Sequence, residues 1–191
     1  MIKVKSTPLV GFDIIEPNCY NDDRGFFLET YQEEIYQAAG ITDKFVQDNQ
    51  SRSIKGVIRG MHFQVNRPQA QIITVIRGSV FDVGVDLRQN SPTFGRWHGV
   101  ELSDSGQRQI YTAPGIAHGF CVLSEYADLH YKVSRFYDPQ DESGLIWNDF
   151  EVKINWPISN PIVHLRDNSY KSLDKLVKNQ QLPKIPSTEL K

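Results

Sequence analysis

Between Ser79 and Leu87 the side chains alternate with a period of two. Phe81, Val83, Val85 and Leu87 fall on one face, and Val80, Asp82, Gly84 and Asp86 on the other. A helix repeats every ~3.6 residues and would scatter both sets, so this segment is a strand with two different faces. Ile72–Ile76 precedes it, with Arg77-Gly78 between, and the pair is expected to form a β-hairpin on a tight glycine turn. Further strands are expected at Phe12–Ile15, Gly25–Thr30, Phe45–Ser53, Gly56–Gln64, His98–Leu102, Gln109–Thr112, Phe120–Leu123 and Asp128–Ser134. Helix signals are few: Tyr31–Ala39, stopped by Gly40, and a second from about Ser169 to Lys178. Many short strands with recurring turns such as Asn90-Ser91-Pro92 and Asp138-Pro139 predict an all-β sandwich or closed barrel.

The chain has 191 residues, enough for one domain with a sizeable core. No internal repeat divides it. The domain is expected to span 1–178, and the polar stretch 179–191, with Pro183 and Pro186, to be a mobile tail. A net charge of −2 disfavours nucleic acid as a partner, although a few local arginines can still hold an anionic small molecule. Cys19 and Cys121 are far apart and match neither a disulfide framework nor a zinc motif. Neither a signal-peptide core nor a membrane-spanning run is present in the sequence, which predicts a cytoplasmic protein without membrane association.

Two of the five histidines stand beside turns or strands in a way that could bring them together. His62 follows the strand-like Gly56-Val57-Ile58-Arg59, and His118 follows the turn Ala113-Pro114-Gly115. Each alone reads as a hydrogen-bonded barrel residue; together they can meet inside a barrel. A metal site is not expected. The positions flanking His62 at two residues' distance are Gly60 and Gln64, which leaves too few ligands for a three-histidine centre. His98, His130 and His164 have no motif around them and are read as structural or surface residues. Arg24 and Arg59 can each bind phosphate, because a guanidinium fork matches its oxygens.

Taken together, the motifs become specific. They are Asp23-Arg24-Gly25-Phe26-Phe27-x-Glu29, Gln47-Asp48-Asn49-x-Ser51, Arg59-Gly60-x-His62-Phe63-Gln64, Gly78-x-Val80-Phe81-Asp82-Val83, Asp86-Leu87-Arg88-x-x-Ser91-Pro92-Thr93-Phe94-Gly95 and Ala117-His118-Gly119-Phe120. Tyr131-Lys132, Tyr137-x-Pro139, Ile146-Trp147-Asn148-Asp149 and Trp156-Pro157 follow. In this order and spacing, from about position 10 to 178, the chain resembles the dTDP-4-dehydrorhamnose 3,5-epimerase family. The resemblance implies a cupin jelly-roll barrel with a few short peripheral helices, a homodimer, and no cofactor. It also implies a nucleotide-linked 4-keto-6-deoxy sugar substrate, dTDP-4-dehydro-6-deoxy-D-glucose, inverted at C3 and C5 on the route to dTDP-L-rhamnose. Both carbons flank the C4 ketone, so each proton can leave to give an enolate that is reprotonated on the other face.

By the same resemblance His62 is the base, Asp167 the carboxylate that orients it, and Tyr131 the acid on the opposite face. The positions matched to substrate binding are Arg24, Phe27, Glu29, Gln47, Asp48, Asn49, Arg59, Gln71, His118, Tyr137, Glu142 and Arg166. At 166 the family more often has Lys. One departure is larger: where the family usually has Lys near the developing enolate, this chain has Gln71, and no Lys lies between Lys55 and Lys132. Either Arg67 supplies the missing charge, or the enzyme differs in substrate or stereochemistry. It could invert one centre only, or act on a CDP- or GDP-linked sugar. A ketoisomerase, or a cupin that binds a sugar nucleotide without turning it over, are the readings from other classes.

Overall fold

The structure, a computed structural model, describes residues 2–185. In chain order its elements are β1 (Lys3–Ser6), β2 (Phe12–Glu16), β3 (Cys19–Asp22), β4 (Gly25–Leu28), α1 (Glu33–Ala38), β5 (Gln47–Ile54) and β6 (Val57–Gln64). There follow β7 (Gln71–Arg77), β8 (Ser79–Asp86), β9 (Trp97–Ser103), β10 (Gln109–Thr112), β11 (Ile116–Val122) and β12 (Tyr126–Val133). The chain continues through β13 (Glu142–Gly144), β14 (Ile162–Val163), α2 (Leu165–Asn168) and α3 (Leu173–Lys178). One antiparallel sheet runs β1-β2-β10-β7-β12-β5; a second runs β13-β6-β11-β8-β9, with β14 added parallel to β6. The two sheets form the jelly-roll barrel of cupin type that the sequence led us to expect. β3 and β4 make a separate two-stranded ribbon.

Between the sheets lie Phe12, Ile73, Ile110 and Leu129 from one and Val80, Val100, Leu102 and Phe120 from the other. Outside the second sheet, Val83, Val85 and Leu87 pack with Met61, Leu145, Leu173 and Leu176. Outside the first, Ile15 and Ile72 pack with Tyr36 of α1. The alternation in β8 thus divides two buried environments rather than core from solvent. Its polar face is buried as well: Asp82 and Asp86 are both 0% exposed. Such burial is tolerable because each carboxylate is paired, Asp82 with His118 and Asp86 with Arg88, Ser91 and Thr93.

The expected hairpin between β7 and β8 does not form. β7 lies between β10 and β12, and β8 between β11 and β9, in different sheets. Only Gly78 separates the two strands, too little for a two-residue hairpin turn, so the chain turns a corner of the barrel instead. Gly78 has φ +83°, and a Cβ there would sit 2.2 Å from the Tyr126 carbonyl oxygen, so only glycine fits.

The helix expected over Tyr31–Ala39 is α1, whose first turn is capped by the Gln32 side chain accepting from the Ile35 N–H at 2.6 Å. The helix expected from Ser169 starts only at Leu173. Before it the chain is extended, because Lys171 bridges Leu145 and its carbonyl accepts from the Ile146 N–H at 3.0 Å. From 179 onward the expected tail falls partly outside the described residues, at 186–191. Its beginning is packed: Leu182 is 7% exposed in the outer core, and the Lys184 N–H donates to the Val65 carbonyl at 2.7 Å. Among the described residues no helix is long and apolar enough to cross a membrane.

Candidate active site

A cavity of ≈ 390 Å³ opens between the sheets, walled by β6 and β11 on one side and β5, β7 and β12 on the other. His62 lines it from β6, where His62 and His118 are cross-strand neighbours on β6 and β11. The His62 Nε2 lies 3.0 Å from Asp167 Oδ1. Asp167 is 2% exposed and also accepts from the Gly60 N–H at 3.2 Å and Arg166 Nε at 3.2 Å. Burial acts to raise the Asp167 pKa, but the hydrogen bond and charge of His62, with Gly60 and Arg166, outweigh it and hold the carboxyl below its ordinary value. A charged Asp167 takes its hydrogen bond from Nε2–H, which leaves the lone pair on Nδ1. That is the tautomer of a base. Arg166 Nη2, 3.3 Å from the same Nε2, is then a neighbouring donor and not its partner.

The depressed Asp167 pKa has a consequence for acid stability. A carboxyl whose folded pKa lies below its unfolded value contributes fully above about pH 4, and the contribution is lost as pH falls through the folded value. Calorimetry of Asp167→Asn against the parent protein is expected to show a gap in Tm at neutral pH that narrows below about pH 4. A gap that does not change with pH would contradict the charged, hydrogen-bonded Asp167.

Tyr131 faces His62 from the opposite sheet. On β12 it pairs with Asn49 of β5 and Ile73 of β7, and its ring lines the cavity. Burial raises the Tyr131 pKa; the Arg59 guanidinium opposes this and Glu142 adds to it. The phenol is therefore held protonated, the state an acid needs. Facing sheets stack ~10 Å apart, so a base on one and an acid on the other leave room for a sugar ring between them.

The other polar groups of the cavity divide by strand face. On β5, Gln47, Asn49 and Ser51 line the cavity, and Gln47 Nε2 donates to Asn49 Oδ1 at 2.9 Å. Asp48, expected with them, points the other way and accepts from Lys132 Nζ at 2.6 Å on the outer surface. The reason is the period of two itself, which would also have found Ser51. Arg59 lines the cavity with its Nε tied to Ser53 Oγ at 2.9 Å. His118 does so with its Nε2 2.9 Å from the buried Asp82. At the mouth, Arg166 Nη1 and the Tyr137 hydroxyl both donate to Glu142 Oε2, at 2.7 and 2.8 Å. Gln64 and Gln69, which the sequence reading left out, also line the cavity, and Gln64 Oε1 accepts from the Asp138 N–H at 2.8 Å.

Gln71 lines the cavity from the start of β7, and its side chain has no hydrogen-bond partner among the described residues. Arg67 does not replace the missing lysine: its backbone is held by Asp141 and Gln64, and its side chain is not among the lining groups. The arginines on the cavity wall are Arg59 and Arg166.

Arg24, Phe27 and Glu29 are not in this cavity. Arg24 and Phe27 belong to the β3–β4 ribbon and Glu29 follows it directly. The Arg24 side chain is 90% exposed and paired with Asp22 at 2.5 Å, and Phe27 is 68% exposed. Of the remaining histidines, His164 caps α2 by accepting from the Arg166 N–H at 3.2 Å, and His98 packs edge-on against Phe12. Among the described residues no group of three or more His, Cys, Asp or Glu is placed to hold a metal ion.

The description dTDP-4-dehydrorhamnose 3,5-epimerase belongs to the family model that matches residues 6–175. The chain belongs to this epimerase family. It is 46% identical over 170 residues to the dTDP-4-dehydrorhamnose 3,5-epimerase of Methanothermobacter thermautotrophicus, covering 87% of this chain and 92% of that one. It is 44% identical over 168 residues to the dTDP-4-dehydrorhamnose 3-epimerase of Streptomyces niveus, covering 87% and 81%. Among solved structures, the dTDP-6-deoxy-D-glucose-3,5-epimerase of Legionella pneumophila, in complex with dTDP-4-keto-L-rhamnose, superposes with a TM-score of 0.92 at 42% identity. The match covers 98% of this chain and all of that one. Membership of the dTDP-4-dehydrorhamnose 3,5-epimerase family accounts for the sequence motifs.

Proposed function

We propose that this epimerase inverts C3 and C5 of dTDP-4-dehydro-6-deoxy-D-glucose. The observation that carries the reading is the placement of His62–Asp167 and Tyr131 on opposing walls of one cavity. His62 removes the proton α to the C4 ketone, electrons move to the ketone oxygen as an enolate, and Tyr131 returns a proton to the other face. Asp167 stabilises the imidazolium formed in between. Gln71 donates a hydrogen bond to the enolate oxygen; Arg59, Arg166 and His118 bind the anionic and hydroxyl groups of the substrate, with Gln47, Asn49, Tyr137 and Glu142 completing the pocket. No step calls for a cofactor. The thiols Cys19 and Cys121 are both unpaired, which fits a reducing cytoplasm. The test is product NMR after incubation with dTDP-4-dehydro-6-deoxy-D-glucose and its CDP- and GDP-linked counterparts. Formation of dTDP-4-keto-L-rhamnose supports the reading; turnover of only a CDP or GDP sugar, or a shifted carbonyl, contradicts it.

A single inversion is the second reading, and the neutral Gln71 is what favours it. A neutral hydrogen bond contributes ~1 kcal/mol and a charged one ~1.5–3, so the enolate is less stabilised here than beside a lysine. Gln71→Lys is expected to raise kcat by roughly fivefold, the equivalent of ~1 kcal/mol. An unchanged or lower kcat, with substrate affinity retained, would remove Gln71 from the enolate oxygen.

The working unit is a homodimer in which the β3–β4 ribbon carries Arg24, Phe27 and Glu29 to the partner's cavity. Three groups matched to substrate binding, exposed on an arm away from their own cavity, make sense only at another subunit's site. Tyr20 and Phe26 on the same arm are 62% and 61% exposed, apolar surface that a partner would cover. Arg24→Ala with Phe27→Ala is expected to weaken substrate affinity about tenfold or more. Mixing that variant with His62→Ala is expected to restore active sites, since each His62-bearing subunit then receives an intact arm. No recovery in the mixed dimer would place the arm's function in its own subunit.

A further inference from the structure

His62 is touched by three side chains from one short segment, Arg166, Asp167 and Tyr170. Asp167 takes its Nε2 hydrogen, and Tyr170 stands its ring against the imidazole, with centroids 5.8 Å apart and planes at 78°. The Tyr170 ring reaches this position by lying over Gly144, the cross-strand neighbour of His62 on β13. A Cβ on Gly144 would be 2.2 Å from two carbons of that ring, so the space beside His62 is shaped for it. Two bonds fix the segment: the backbone of Lys171 bridges Leu145, and the Asp167 carboxylate accepts from the Gly60 N–H. The Tyr170 hydroxyl is buried and makes no hydrogen bond among the described residues. Burial, with Glu142 next, pushes its pKa up, so the phenol stays neutral. A buried hydroxyl without a partner is unfavourable. The ring is the part of Tyr170 that meets the imidazole.

We propose that Tyr170 is a positioning residue for His62. Seated on Gly144, its ring blocks rotation of the imidazole, so that Nε2 stays on Asp167 and Nδ1 keeps one direction into the cavity. Nothing in the local sequence around Tyr170 marks it, because its effect depends on Gly144 and β6 meeting it in space. The inference rests on the reading of His62 as the base.

The test compares Tyr170→Leu with Tyr170→Phe, measuring kcat, dTDP affinity and the nitrogen-15 signals of the His62 ring. Small displacements of a reacting group cost on the order of 10- to 100-fold, and Tyr170→Leu is expected to lose kcat in that range with dTDP affinity unchanged. Its His62 signals should shift from a single Nε2–H tautomer toward an average of two. Tyr170→Phe keeps the ring and should restore both kcat and the single tautomer. Wild-type kcat and an unchanged tautomer in Tyr170→Leu overturn the proposal, as does an equal loss in Tyr170→Phe. Should the leucine variant fail to fold, Tyr170→Met, unbranched and better able to adapt to the space, is judged by the same outcomes. If His62→Ala turns over normally, the base assignment has failed; if it is dead while Tyr170→Leu is unimpaired, only the positioning role has.

Discussion

Replacing His62 with alanine is expected to lower kcat by roughly 10³- to 10⁴-fold, the upper part of the range for loss of a general base. The effect is large because one imidazole serves every proton abstraction in the proposed reaction. The fold should survive. Asp167 loses one hydrogen bond but keeps those from the Gly60 N–H and Arg166 Nε, so its buried charge remains paired. Binding should survive too, since the groups proposed to hold the nucleotide sugar lie elsewhere on the cavity wall. Turnover by stopped assay and dTDP binding by calorimetry read the two parts separately. A variant that keeps more than a tenth of the parent kcat would take the role of base from His62.

Tyr131→Phe is the second large effect, and its signature is qualitative. Removing one hydroxyl leaves almost unchanged the packing of a ring that stands between Leu129 and Val133 on the same face of β12. His62 can still form the enolate, but the opposite face has lost its proton donor. The imidazolium then returns the proton from the side it came from. Inversion should fall by roughly 10²- to 10³-fold while exchange of the α-proton with solvent persists. Equal loss of exchange and inversion would mean that the phenol is needed to form the enolate. Unchanged inversion would mean that the acid is another group.

How much of this could be read from the sequence depended on whether the signal was local. Alternation identified β8 and its two faces, yet it could not say that both faces are buried, since that requires the outer layer of Leu173 and Leu176 from the far end of the chain. It misjudged the partner of β7 because strand pairing is non-local, and the single Gly78 between the strands was the clue that no hairpin turn fits. On β5 the same alternation would have replaced Asp48 by Ser51, had it been applied to the motif residue by residue. Asp167 entered only through the family resemblance, and Tyr170 not at all: both reach His62 across more than a hundred residues of intervening sequence. Gln71 stood out as a departure, but that Arg67 leaves it uncompensated is visible only once the cavity wall is known.

As proposed, a base and an acid on opposing sheets invert both carbons next to one ketone. Deuterium uptake tests it most directly. After complete turnover of dTDP-4-dehydro-6-deoxy-D-glucose in D2O, the product should carry one deuterium at C3 and one at C5, each with inverted configuration. Deuterium at a single carbon would reduce the enzyme to a mono-epimerase, and a product with deuterium at neither would rule out proton abstraction next to the ketone.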